Sequence, residues 1–386
     1  MVRRVDTLSL RDEFDGLDER VWLNCAHQGP LPRAAAAAAR EAVDRKRSPW
    51  LIDEASFEDV PRRLKAVLGR LVNVPAAEVI LGNSTSYGLN LLAQGLPLGP
   101  GDEVLLVAGD FPATVFPWLP LRERGVTVRL VTPSSGPAGG LTAEDVEAAL
   151  TPATRVLCSS WVFSFTGRVL PLAELAELCR SRGVTFVLNG SQGVGARPLD
   201  LTGAGVDALV SCGFKWLCGP YATGFAWIRP EVREAMAAPP AYWLTHQSAG
   251  GVGRSADYEL HPVGAAAYDV FGTANFLAFP AWTESVELLS GHGVDRVAAH
   301  DQALVQRLID GLDEGAYELL SPRDPAERST LVYVRHRREP ADRVHARLRD
   351  AGVETALREG NVRLSPHVYN VPDDIDAALD ALHAVP

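Results

Sequence analysis

Between residues 79 and 228 short apolar runs recur at 79–81, 103–107, 126–131, 155–158, 184–188, 208–211 and 224–228, separated by helical or turn-rich stretches. Alternation of this kind predicts a mostly parallel sheet with helices on both faces. Ahead of it, Pro32 followed by Arg33 and six alanines predicts a helix to about Arg47 with proline at its first position. An amphipathic stretch over 57–72 predicts a second. Beyond about residue 264 the rhythm changes. Helical patterns at 275–289 and 294–312 precede a strand at 330–335, a helix at 341–351, a strand at 361–364 and a closing helix from about Asp373. That reads as a smaller α+β unit. The expected division is a large domain over 31–264 and a small one formed by 1–30 with 265–386.

Length agrees, because 386 residues exceed the roughly 250–300 beyond which single cores split. The stretch 239–264, rich in Gly, Ser and aromatics, is a long loop, and loops of that length usually serve a site. Tyr242, Trp243 and His246 are its candidates for substrate contact. A formal charge of −11 without a basic stripe argues against nucleic acid and against an acidic membrane surface. No run approaches the ~18 consecutive apolar residues of a membrane span, and the first ten residues lack a signal-peptide core. A cytoplasmic location is the expectation. Five cysteines without a CxxC pair suggest neither a disulfide framework nor a zinc site, so buried thiols are expected.

Three glycine-flanked polar segments fall where strands should end, the place where open α/β sheets bind ligands. In GNSTSYG (82–88), the hydroxyls of Ser84, Thr85 and Ser86 precede a helical run. A phosphate cradle and an ordinary helix cap both account for them. NGSQGVG (189–195) follows a strand and carries Asn189 and Gln192. SCGFKWLCGP (211–220) sets one cation, Lys215, between Phe214 and Trp216. Apolar surroundings disfavour an ammonium, and the free amine is the form that attacks a carbonyl. Cys212 and Cys218 flank that lysine and are read as small apolar packing.

Taken together, these segments and the stretches VWLNCAHQGPLP (21–32) and VRLSPHVYN (362–370) resemble the class V branch of the fold type I pyridoxal phosphate enzymes. That group includes cysteine desulfurases, kynureninases, isopenicillin N epimerase-like proteins and C–S lyases. The resemblance implies a mostly parallel seven-stranded sheet flanked by helices, a smaller α+β C-terminal domain and pyridoxal 5'-phosphate as cofactor. Lys215 would form the Schiff base and move protons at Cα. Ser84, Thr85 and Ser86 would hold the phosphate. Phe111, in GDFPA, would cover the ring, although a core phenylalanine is the competing reading. Ser164 and Gln192 would lie near the ring hydroxyl. Thr273, in FGTANF, would reach the neighbouring subunit's phosphate, which implies a homodimer with shared sites. Arg363 would clamp the α-carboxylate of an amino-acid-like substrate. Asn24 and His27 would line the substrate side, where His27 also reads as a structural histidine.

The chain departs from that family in ways that bear on chemistry. Asn189 stands where the family has Asp, so a charge-assisted contact of about 1.5–3 kcal/mol with the pyridine nitrogen becomes a weaker neutral one. A weaker electron sink should harm transamination most. No cysteine follows Cys218, although desulfurases need a nucleophilic one in the C-terminal part. Phe214 replaces a frequent histidine and Ala222 a frequent glycine. The expected activity is β-elimination with C–S cleavage of an S-substituted cysteine, followed by epimerisation and then transamination. A cofactor-binding protein without turnover is the alternative from another class.

Overall fold

The computed structural model describes residues 8–134, 136, 140–237, 241–247, 260, 264–272 and 274–385. Its strands in chain order are β1 (Val21–Trp22), β2 (Val79–Gly82), β3 (Glu103–Val107), β4 (Thr127–Val131), β5 (Thr154–Ser160), β6 (Thr185–Asn189), β7 (Ala208–Cys212), β8 (Gly224–Ile228), β9 (Tyr317–Leu319), β10 (Val332–His336), β11 (Val353–Glu354), β12 (Ala356–Arg358) and β13 (Asn361–Leu364).

Seven of these form the main sheet in the order β2-β8-β7-β6-β5-β3-β4. Every neighbouring pair is parallel except those of β8, which runs against both β2 and β7. The near-continuous apolar runs of β3, β7 and β8 follow from burial on both faces. Successive side chains alternate between two cores: Leu105, Leu157, Leu188 and Leu209 enter one, and Val104, Leu106, Val156, Val187 and Val210 the other. Strand β4 lies at an edge, and its exposed and buried residues mix accordingly.

A second sheet, β12-β13-β10-β9, packs helices Val294–Gly311 and Pro372–His383 around a third core that includes Leu23, Leu304, Leu308, Val334, Leu364 and Leu379. β1 pairs in parallel with β11, and Asn24 bridges Ser365, so the N-terminal segment rides on the C-terminal elements. β1, β9, β11 and β12 are two or three residues long, too short for a period-two signal, and went unread in the sequence. The helix expected over 275–289 spans Phe279–His292, because Pro280 sits in its first turn and Asn275 Oδ1 accepts from Ala278 N ahead of it. No helix among the described residues is long and apolar enough to cross a membrane.

Candidate active site

The carboxyl ends of β3, β5, β6 and β7 open onto one cavity of ≈ 520 Å³. Asn189 is the last residue of β6, Lys215 follows β7 by three positions, and Ser160 closes β5. Phe111 sits after β3 and caps the short helix Pro112–Val115. Of the residues singled out in the sequence, His27, Ser84, Thr85, Ser86, Phe111, Ser164, Asn189, Gln192, Lys215 and Arg363 all line this space. Asn24 does not line it; its Oδ1 accepts from Arg363 Nη2 at 3.2 Å, which makes it a support for the arginine. Thr273 lies outside the described residues. Tyr242 and His246 line a different cavity beside helix Ser56–Val72, and Trp243 lines neither, so none of these three borders the Lys215 cavity; most of the stretch 239–264 lies outside the described residues.

The lysine loop is held from below. Gly29 N donates to Phe214 O at 2.9 Å, and a Cβ on Gly29 would stand 2.2 Å from Lys215 O, which only glycine permits. Ala222 has φ 61, the left-handed region, which explains why glycine suits the position. Lys215 is half-buried with Nζ 5.5 Å from the Phe111 ring centroid. Burial lowers its ammonium pKa; Cys212 opposes this and the guanidinia of Arg363 and Arg358 add to it. Phe111 is 37% exposed, so it is a cavity wall and not a core residue. All five cysteines are buried, in keeping with packing roles.

At the other end, Ser84 Oγ caps helix Thr85–Gly95 by accepting from Tyr87 N, while Thr85 Oγ1 lies 2.6 Å from Ser191 Oγ. The cap is therefore present, and Ser84, Thr85 and Ser86 also border the cavity. Gln192 is partly committed: its Oε1 accepts from Trp216 Nε1 and its Nε2 donates to Ala26 O. Arg363 stands on β13 opposite Tyr333 of β10, and its buried Nε has no hydrogen-bond partner. Arg358 and Arg363 stand as cations beside Lys215, and among the described residues no carboxylate lines the cavity, although the chain as a whole carries −11. The same charges, after burial, hold the His27 pKa below its ordinary value. Such a space suits a doubly anionic, aromatic aldehyde that needs hydroxyls for its phosphate, a ring cover and an amine.

Sequence reasoning missed Thr114, Ser160, Ser191, Tyr221 and Arg358. Ser191 sat inside a quoted motif; Arg358 carried no signal, because only β12–β13 pairing brings it near. A further pair lies under the lysine loop. His367 Nδ1 is 2.7 Å from Asp301 Oδ2 and Nε2 is 3.0 Å from Trp216 O. Both partners are acceptors, so the doubly protonated ring satisfies both. Cys25 and Cys218 come within 4.8 Å of this imidazole, but neither ring nitrogen is left for a metal.

The aminotransferase class-V family model matches residues 54–377. The chain belongs to that family, whose cofactor is pyridoxal phosphate, and its fold is fold type I. Among its relatives, isopenicillin N epimerase of Streptomyces clavuligerus is 30% identical over 95% of this chain and 94% of its own. A probable cysteine desulfurase of Methanothermobacter thermautotrophicus is 25% identical over 98% of both. The cystine C–S lyase C-DES, solved with cysteine persulfide, superimposes with a TM-score of 0.88 at 21% identity, over 96% of this chain and 99% of that one.

Proposed function

We propose that this chain is a pyridoxal phosphate-dependent lyase that cleaves the Cβ–S bond of an S-substituted cysteine, with Lys215 as cofactor lysine and proton carrier. The observation that carries the reading is the placement of Lys215, with its Nζ 5.5 Å from the Phe111 ring centroid, in the cavity that Ser84, Asn189 and Arg363 also line; burial lowers its ammonium pKa in keeping with that role. When bound, the cofactor supplies a conjugated electron sink next to Cα. Arg363, which lines the cavity, receives the α-carboxylate on its guanidinium, and Asn24 steadies that group. Lys215, as free amine, would take the Cα proton, and sulfur would leave Cβ as a thiolate with the electron pair of the broken Cβ–S bond, to be protonated as the free thiol. Ser84, Thr85 and Ser86 form the phosphate site, where the Ser86 hydroxyl and the N–H groups that open helix Thr85–Gly95 donate to the phosphate, since the hydroxyl hydrogens of Ser84 and Thr85 go to Asn83 and Ser191. Neutral Asn189 weakens the sink, which spares elimination more than transamination. The buried cysteines, with none after Cys218, support a lyase over a persulfide-forming desulfurase. We take the working form to be a homodimer in the cytoplasm, with Thr273 serving the partner's site.

The holoprotein is tested with S-alkyl cysteines. Pyruvate and free thiol in equal amounts are expected. Exchange of the Cα hydrogen with solvent and release of neither would make it an epimerase, the reading favoured by the Streptomyces clavuligerus relative. Borohydride reduction should bleach the yellow protein and label the peptide containing Lys215. A protein that takes up no cofactor overturns the whole reading.

A further inference from the structure

The contacts of Asn189 form a chain whose direction is set at both ends. Asn189 Oδ1 accepts from Ser191 N at 3.0 Å and from Ser191 Oγ at 2.6 Å. A backbone N–H only donates, so this end of the amide is the oxygen, and both of its lone pairs are used. Ser191 has spent its hydrogen there, so Thr85 donates to Ser191. On the other side Asn189 Nδ2 donates to Thr114 Oγ1 at 2.9 Å, and Thr114 Oγ1 lies 3.2 Å from Ser160 Oγ. Ser160 Oγ in turn donates to Asp110 Oδ1 at 2.6 Å.

Asp110 is 7% exposed and also accepts from Ser160 N and Phe111 N. As a carboxylate it can only accept, so the hydrogens run one way, from Asn189 through Thr114 and Ser160 to Asp110. Burial raises its pKa to about 6, against the pull of those donors, so above that pH the terminus is ionised. The spare capacity of the amide is therefore one N–H on Nδ2, in a residue that lines the cavity.

We infer that Asn189 meets the ring nitrogen of the cofactor as a hydrogen-bond donor and holds that nitrogen unprotonated, with Thr114, Ser160 and Asp110 as positioning residues that fix this polarity. The inference rests on the cofactor reading above and deepens it. A carboxylate at 189 would stabilise a pyridinium. Here the carboxylate is set back at Asp110, and the two hydroxyls between fix which way the hydrogens point. The amide is thus a donor by construction, not a neutral substitute that takes either role. An unprotonated ring withdraws fewer electrons, which agrees with elimination over transamination.

The test is the ¹⁵N NMR signal of holoprotein rebuilt with cofactor labelled at the ring nitrogen, at pH 7.5 and without substrate. The wild type should give the signal of an unprotonated, hydrogen-bonded pyridine, and Asn189→Asp should move it to that of a pyridinium. Ser160→Ala should shift it toward a pyridine with no donor and weaken cofactor affinity about 3- to 10-fold, the range for one hydrogen bond. A pyridinium signal in the wild type overturns the inference while leaving the cofactor reading intact. An unchanged signal in Ser160→Ala overturns the positioning chain. A wild-type protein that takes up no labelled cofactor overturns the cofactor reading, and this inference with it.

Discussion

Replacing Asp301 by Asn should cost stability and remove a pH dependence that the buried His367–Asp301 pair creates. Both side chains are fully buried, 2.7 Å apart. Burial works to lower the His367 pKa, but the Asp301 charge and hydrogen bond, with lesser help from Cys25 and Trp216 O, raise it to about 9. Unfolded, the imidazole returns to about 6.5, so the difference is worth about 3 kcal/mol. The sign follows from a raised folded pKa: the contribution is fully present below about 6.5 and is lost as pH rises through about 9. Breaking a buried pair by removing one partner costs about 3–5 kcal/mol. Urea unfolding of the wild type at pH 6 and pH 9.5 should show the loss, and Asp301→Asn should start several kcal/mol lower with that step gone. The holo spectrum should change as well, because His367 anchors the carbonyl of Trp216, next to Lys215. An Asp301→Asn protein that is within 1 kcal/mol of the wild type, or keeps the same pH step, would refute the argument.

Other outcomes follow from the same geometry. Arg363→Gln loses a charge-assisted contact of about 1.5–3 kcal/mol, so KM for an amino-acid substrate should rise about 10- to 150-fold while the visible spectrum persists; an unchanged KM would remove Arg363 from substrate binding. Ala222→Gly relieves a left-handed backbone and should raise the thermal midpoint by an amount equivalent to about 1 kcal/mol, since the strain outweighs the added chain entropy; calorimetry decides it. Gly29→Ala places a methyl 2.2 Å from Lys215 O and should displace the lysine loop, read as loss of cofactor uptake with little change in far-ultraviolet dichroism.

Much of the molecule was legible from residue order, for physical reasons that differ by element. Six strands of the main sheet announced themselves because burial forces near-continuous apolar runs, the edge strand β4 through the apolar residues it buries despite its exposed ones, and the helix Arg33–Arg47 because alanine propensity and Pro32 needed no partner. The cradle at 84–86, Asn189 and Lys215 were legible because each belongs to a short contiguous motif at a strand end. Tertiary pairing alone brought Arg358 beside Arg363, put Asn24 behind that arginine rather than in the cavity, and took Tyr242 and His246 elsewhere. The polarity of Asn189 was likewise beyond reach of the sequence: an amide read alone is both donor and acceptor. Only the convergence of Ser191 N–H on one atom and a path to Asp110 from the other decides which it is, because hydrogen bonds have direction and that direction is settled by neighbours distant in the chain.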